Sequence, residues 1–184
     1  NPATDATPGA TDDSSQQAPL SVEDLDTLLA PVALYPDSLL SQVLMASTYP
    51  LEVVQANRWL QANATLTGDA LADALNQQSW DPSVKSLVNT PSVLQMMDDK
   101  LDWTIRLGDA FLAQQADVMN SVQRLRAQAQ QAGTLRSTAQ QNITYENAYN
   151  DGATNPPVPQ YIEIQETSPQ YVYVPVYDPF VVYG

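Results

Sequence analysis

The stretch LGDAFLAQQADVMNSVQRLRAQAQQAG, Leu107 to Gly133, decides the fold class. Leu107, Phe111, Val118, Val122, Leu125 and Ala129 follow one another at spacings of four, seven, four, three and four. Those intervals lay an apolar stripe along one side of a helix, with a near-heptad rhythm. Extended back to Leu101 and on to Ala132, the pattern predicts one long helix. At ~1.5 Å per residue it would run roughly 45 Å, a spine for shorter helices. Gly133 stands where a helix C-terminus takes a left-handed residue.

Upstream, the helical period persists but proline cuts it into short pieces. Ser21 ahead of Val22-Glu23-Asp24 sets a serine N-cap with an acid three residues on. Leu25, Leu28 and Leu29 supply the first apolar stripe, which Pro31 and Tyr35-Pro36-Asp37 interrupt. A second helix is predicted from about Pro36 through Ala46 on Leu39, Leu40, Val43 and Leu44. Tyr49-Pro50 opens a third, with Leu51, Val54, Trp59 and Leu60 as its apolar face. Thr67-Gly68-Asp69 opens a fourth on Leu71, Ala74 and Leu75, and Asp81-Pro82 and Thr90-Pro91 start two short ones. Asp37 and Asp81, each beside a proline at a helix start, read as capping residues.

After Gly133 the period falls to two. Asn142 to Glu146, Tyr161 to Gln165 and Tyr171 to Val174 alternate as strands. Between the first two, Asn147 to Gln160 contains Asp151-Gly152 and Pro156-Pro157 and reads as a surface excursion. In the last strand Val172, Val174 and Val176 share one face, expected to pack inward. Tyr171, Tyr173, Pro175 and Tyr177 share the other. The predicted fold is therefore α+β, mostly α. A compact bundle of about six helices surrounds the spine helix, and a small C-terminal antiparallel sheet packs on it. Residues 1–20 form an acidic tether with little to bury, 21–136 the bundle, and 137–184 a small β subdomain.

Composition narrows the chemistry. Seven Lys+Arg against 21 Asp+Glu leave a formal charge of −14, which argues against nucleic-acid binding. With no Cys there is no disulfide, zinc knuckle or thiol nucleophile, and with no His no serine triad or imidazole base. Six glycines form no phosphate loop, and no apolar run approaches the ~20 residues of a membrane helix. No cofactor, metal or catalytic residue is predicted. Asn1 in place of an initiator Met reads as a processed or trimmed N-terminus.

Asp98, Asp99, Asp102 and Asp109 form the best catalytic candidate. On a continuous helix Asp98, Asp102 and Asp109 would share a face, where two carboxylates can divide acid and base roles. Arg106, four residues after Asp102 and three before Asp109, makes the same stripe an ordinary ion-paired surface. Trp59, Trp80 and Trp103 suit either a sugar-stacking groove or core packing, and Trp59 and Trp103 sit among apolar helical positions. Seven of the nine tyrosines lie between Tyr145 and Tyr183, and the last 48 residues contain no Lys or Arg. Tyr171, Tyr173, Tyr177 and Tyr161 are the candidate interaction surface, since tyrosine is favoured at interfaces. Pro175 makes the last strand an edge, and an uncharged aromatic edge invites strand addition.

Four blocks carry a resemblance: LAPVALYPDSLLSQVLMASTYPLEVVQANRWL (Leu29 to Leu60), WDPSVKSLV (Trp80 to Val88), LGDAFLAQQADVMNSVQRLRAQAQQAG and VYVPVYDPFVVYG (Val172 to Gly184). Together they resemble a bacterial family, domain-of-unknown-function family 3300. The resemblance implies an exported protein, periplasmic or otherwise associated with the cell envelope. It also implies that the chain continues beyond Gly184 into a Trp/Tyr/Pro/Gly-rich tail, and it brings no activity, cofactor or catalytic residue. Three functions remain open. The first is a non-catalytic envelope module for structure, tethering or assembly, contacting a protein partner or a second copy through the C-terminal strand. The second is a binding module for cell-wall glycan or another polymer. The third is a carboxylate-dependent hydrolase.

Overall fold

A computed structural model describes residues 19–147 and 160–184. The tether, up to residue 18, and the core of the Asn147–Gln160 excursion lie outside the described residues. The helices are α1 (Val22–Leu29), α2 (Asp37–Ala46), α3 (Pro50–Ala62), α4 (Gly68–Asn76), α5 (Pro82–Leu87), α6 (Pro91–Asp99), α7 (Leu101–Ala113) and α8 (Gln115–Gln131). One antiparallel hairpin follows, β1 (Gln141–Asn147) and β2 (Gln160–Glu166). The fold is α+β and mostly α. No helix among the described residues is long and apolar enough to cross a membrane.

Local chemistry sets most boundaries. The Ser21 hydroxyl accepts the Asp24 N–H at 3.2 Å and starts α1. Asp81 accepts the Ser83 N–H at 3.0 Å and starts α5. Gly133, at φ +78°, ends α8, and the Thr134 N–H returns to the Ala129 carbonyl at 2.9 Å. Leu25, Leu29, Val43, Leu94, Met97 and Leu107 belong to the main core, to which helices α1–α3 and α5–α8 contribute. Leu34, Ala129, Leu135, Ile162 and Ile164 form a smaller core under the hairpin.

Arg126 of α8 joins the two cores and is 1% exposed. Its Nε donates to the Ala33 carbonyl at 2.8 Å and its Nη2 to the Tyr35 carbonyl at 3.0 Å. Its Nη1 donates to Asp37 Oδ1 at 2.6 Å and to the Ile162 carbonyl at 2.8 Å. One guanidinium thus holds the α1–α2 turn, the first residue of α2 and the middle of β2. Beside it, Gln123 pairs with Ile162 as a strand would: its Oε1 accepts the Ile162 N–H at 2.8 Å and its Nε2 donates to the Ile162 carbonyl at 3.1 Å. The Ile164 N–H goes to Asp37 at 3.3 Å. Side chains therefore seal the outer edge of β2.

Several expectations are corrected. The spine is two helices broken at Gln114, whose backbone sits at φ −137°, ψ 46°. The Gln114 amide accepts the Leu20 N–H at 2.8 Å and donates to the Leu20 carbonyl at 3.3 Å, tying down the approach to α1. The break lets α7 pack on α1, α2, α3 and α6 while α8 packs chiefly on α1 and also reaches β2. The seven-residue step from Phe111 to Val118 spans the break and hides it in the sequence. Leu125 is buried, but Phe111 is only half-buried. In α3 the buried face is Val53, Ala56 and Asn57, and Leu51 is 68% exposed. A polar residue sits in that face because Asn57 Nδ2 donates to Asp98 at 2.7 Å, so apolar periodicity points elsewhere. Asp37 is no cap: it is the first residue of α2 and pairs with Arg126.

The third strand is absent. Residues 171–177 form no ladder among the described residues. The edge of β2 is already occupied by Gln123, Arg126 and Asp37, and Ser137 Oγ takes the Ile143 N–H of β1 at 2.9 Å. Pro169 and Pro175 bracket the segment and withhold donors. The predicted faces fail with the strand: Val172 and Val176 are 48% and 98% exposed, and Tyr177 turns inward.

Two substitutions test this architecture. A Cβ at Gly108 of α7 would be driven into the Ser47 carbonyl, so Gly108→Ala is expected to cost about 1–3 kcal/mol or more by urea unfolding. Arg126→Ala leaves the Ala33 and Tyr35 carbonyls without their donor and Asp37 without its counter-charge, and should cost about 3–5 kcal/mol. Arg126→Lys should restore little, because an ammonium cannot reproduce the planar fork.

Candidate interaction surface

Beyond β2 the chain runs to Gly184 without a regular element except turns. It is held by side chains. The Tyr177 hydroxyl donates to the Ala30 carbonyl at 2.9 Å and accepts the Leu34 N–H at 3.4 Å. The Tyr183 hydroxyl donates to the same Ala30 carbonyl at 2.7 Å. Ala30 caps the end of α1, where helical carbonyls lack partners, and two phenols satisfy it. The two rings meet edge to face, with centroids 6.4 Å apart. Thr134 donates to the Val182 carbonyl at 2.5 Å. Asp178 closes a turn by accepting the Phe180 N–H at 2.9 Å.

Burial pushes both anchoring phenols above the ordinary tyrosine value, with Tyr177 the more strongly displaced. Tyr183 is pushed up to about 12 by burial, against the opposing pull of the Tyr177 hydroxyl beside it and of the Arg126 charge.

Between and around these anchors the segment presents several apolar side chains to solvent. Tyr171 is 75% exposed, Val176 98%, Phe180 96% and Val181 67%. Residues 167–177 contain no charged side chain. The result is an apolar strip pinned to the bundle by Tyr177, Tyr183, Val174 and Val182.

The four tyrosines named from sequence do not act together. Tyr171 is exposed on the strip, Tyr173 is half-buried, and Tyr177 is an inward anchor. Tyr161 lies on β2 and lines a separate groove of about 280 Å³ with Leu44, Met45, Phe111 and Met119. Phe180 and Val181, the most apolar exposed part of the strip, fell outside the strand pattern. The tryptophans turn inward. Trp59 and Trp80 meet edge to face at 5.7 Å, and the Trp103 indole N–H donates to the Leu28 carbonyl at 2.8 Å. The acidic stripe is divided at Lys100, between α6 and α7, and Asp98 and Asp99 are engaged by Asn57 and Gln95. Among the described residues no three acidic side chains gather as a metal site would require.

A family described as "Protein of unknown function (DUF3300)" matches residues 21–184. "Uncharacterized protein YacH" of Escherichia coli (strain K12) is 44% identical over 203 residues, covering 100% of this chain and 33% of the relative. The chain therefore spans about a third of that relative's length. No solved structure matches it. The chain belongs to the DUF3300 family.

The phenol anchors generate a pH prediction. A group whose folded pKa is raised holds its proton more tightly in the folded state. Its stabilisation is complete below the ordinary value of ~10 and is lost as pH rises toward the folded value. Unfolding free energy should fall as pH climbs from roughly 10 to about 12. Urea titrations of wild type and of the Tyr177→Phe, Tyr183→Phe double variant should show a shallower alkaline loss in the variant, which starts less stable by about 1–3 kcal/mol for each lost anchor bond.

Proposed function

We propose that this DUF3300 domain is a non-catalytic module of the cell envelope, serving structure, tethering or assembly, and that residues 171–181 are its protein contact surface. One observation carries the reading. Val176 and Phe180 are almost wholly exposed while their neighbours Tyr177 and Tyr183 are half-buried, packed on the core and hydrogen-bonded. A pinned apolar strip is preordered, so a partner would lose little entropy in binding it. Burying side chains of this size would contribute about 1.5–3 kcal/mol each, and contiguous exposed apolar surface marks interaction sites. The engagement of Asp98 and Asp99 in bonds to neighbouring amides favours a structural role for the acids over a catalytic one. An exported or periplasmic location fits the composition of residues 1–20 and the family resemblance.

A photo-crosslinking residue placed at Val176 or Phe180 should give an adduct of defined mass in cells, and one at exposed Arg58 of α3 should not. Phe180→Asp should keep the wild-type melting temperature and lose the adduct formed from position 176. Equal crosslinking at all three positions, or none in folded protein, overturns the reading.

A further inference from the structure

The apolar strip ends in a knob. The Asp178 carbonyl accepts the N–H groups of Val181 at 3.0 Å and of Val182 at 2.9 Å, and Asp178 Oδ1 accepts the Phe180 N–H at 2.9 Å. Pro179 fixes a further backbone angle inside this turn. Phe180 and Val181 stand on it, 96% and 67% exposed.

A matching hole lies on another part of the surface. The groove of about 280 Å³ between α2, α7, α8 and the start of β2 is walled by Leu44, Met45, Phe111, Met119 and Tyr161. Its volume is roughly twice the ~150 Å³ that admits a benzene ring, which is room for one phenyl ring and one aliphatic side chain. The two methionines give the wall a soft, adaptable surface that suits contact with an aromatic ring. No residue of the strip lines the groove, so a chain's own knob does not fill it.

Charge selects the occupant. At −14 per chain, two copies repel over most of their surface. The knob and the groove are exceptions. Residues 179–184 carry no charged side chain, and the Asp178 carboxylate is turned back onto its own turn. The groove is lined by one acid and one base, Asp37 and Arg126, already joined at 2.6 Å. A cationic partner finds no uncompensated carboxylate there. A second copy can bring the two neutral apolar patches together without setting acid against acid.

Taking residues 171–181 as the contact surface, as above, we propose that the knob of one chain docks in the groove of a second copy, with Phe180 as the inserted ring. Knob and groove are different patches, so the contact joins unlike surfaces and can propagate into a ring or a row of copies.

Sedimentation equilibrium of the full chain across concentration tests this. Wild type should self-associate, and more strongly as salt screens the repulsion between acidic copies. Phe180→Asp removes the knob, and Met45→Glu, at a position 44% exposed, charges the groove. Each should keep the wild-type melting temperature and weaken self-association about tenfold or more. Their equimolar mixture should regain association but stop at two chains, because one variant still offers a groove and the other still offers a knob. If Met45→Glu melts early, Tyr161→Glu on the β2 wall replaces it. A wild type that stays monomeric at high concentration, self-association weakened by salt, or a mixture that stays monomeric overturns the proposal. A photo-crosslinking residue at Phe180 separates this inference from the reading beneath it. An adduct of two chains joined at Met45 or Met119 supports both. An adduct with a different protein keeps the strip as a contact surface and overturns its docking in a second copy.

Discussion

A single guanidinium is the constraint on which the arrangement depends. Arg126 leaves water completely, and an unpaired charge in that position would cost several kcal/mol. It is tolerated because Ala33, Tyr35 and Ile162 offer carbonyls and Asp37 a carboxylate, all at 2.6–3.0 Å. Each acceptor belongs to a place where regular structure leaves backbone groups unpaired: the turn after α1, the start of α2 and the outer edge of β2. The arginine solves three local problems at once, and in doing so fixes the hairpin against the bundle.

The turn of residues 30–37 is the receiving end of this network. Its proline-broken backbone exposes carbonyls that a continuous helix would have consumed. Ala33 and Tyr35 take the arginine, and Ala30 takes the hydroxyls of Tyr177 and Tyr183. The C-terminal segment is thus fastened by the same turn that fastens α8. With the β2 edge filled by Gln123, Arg126 and Asp37, the segment does not join the sheet, and Val172, Val176 and Val181 face solvent. A hairpin closed by side chains and an apolar strip held outside it have one common cause.

Much of the helical layer was legible because helix boundaries answer to local chemistry. Ser21, Asp81 and Gly133 act through atoms within a few residues of themselves, so their effects can be read in place. The stripe Val118, Val122, Leu125, Ala129 is a correct core face because period 3.6 is a property of the chain alone. Gln114 was illegible because no proline or glycine marks the break; its reason lies 94 residues away at Leu20. Arg126 did leave a signal, standing four residues after Val122 and next to Leu125, on the apolar side of its helix. An arginine there is either a flaw in the stripe or the centre of a buried network, and periodicity cannot tell which.

The sequence by itself determined the class of the fold, the helical segments and their caps, the switch to period two after Gly133, and the family. Those depend on interactions spanning one or two turns, or on ordered blocks of residues. Only the tertiary structure decided which way Tyr177 and Val176 point and what Asp37 does. Alternation assigns residues to faces but not to the core, because a face turns inward only where the neighbouring edge or pocket has room and partners for it. Along the outer edge of β2 that room had already been taken by three side chains from α2 and α8.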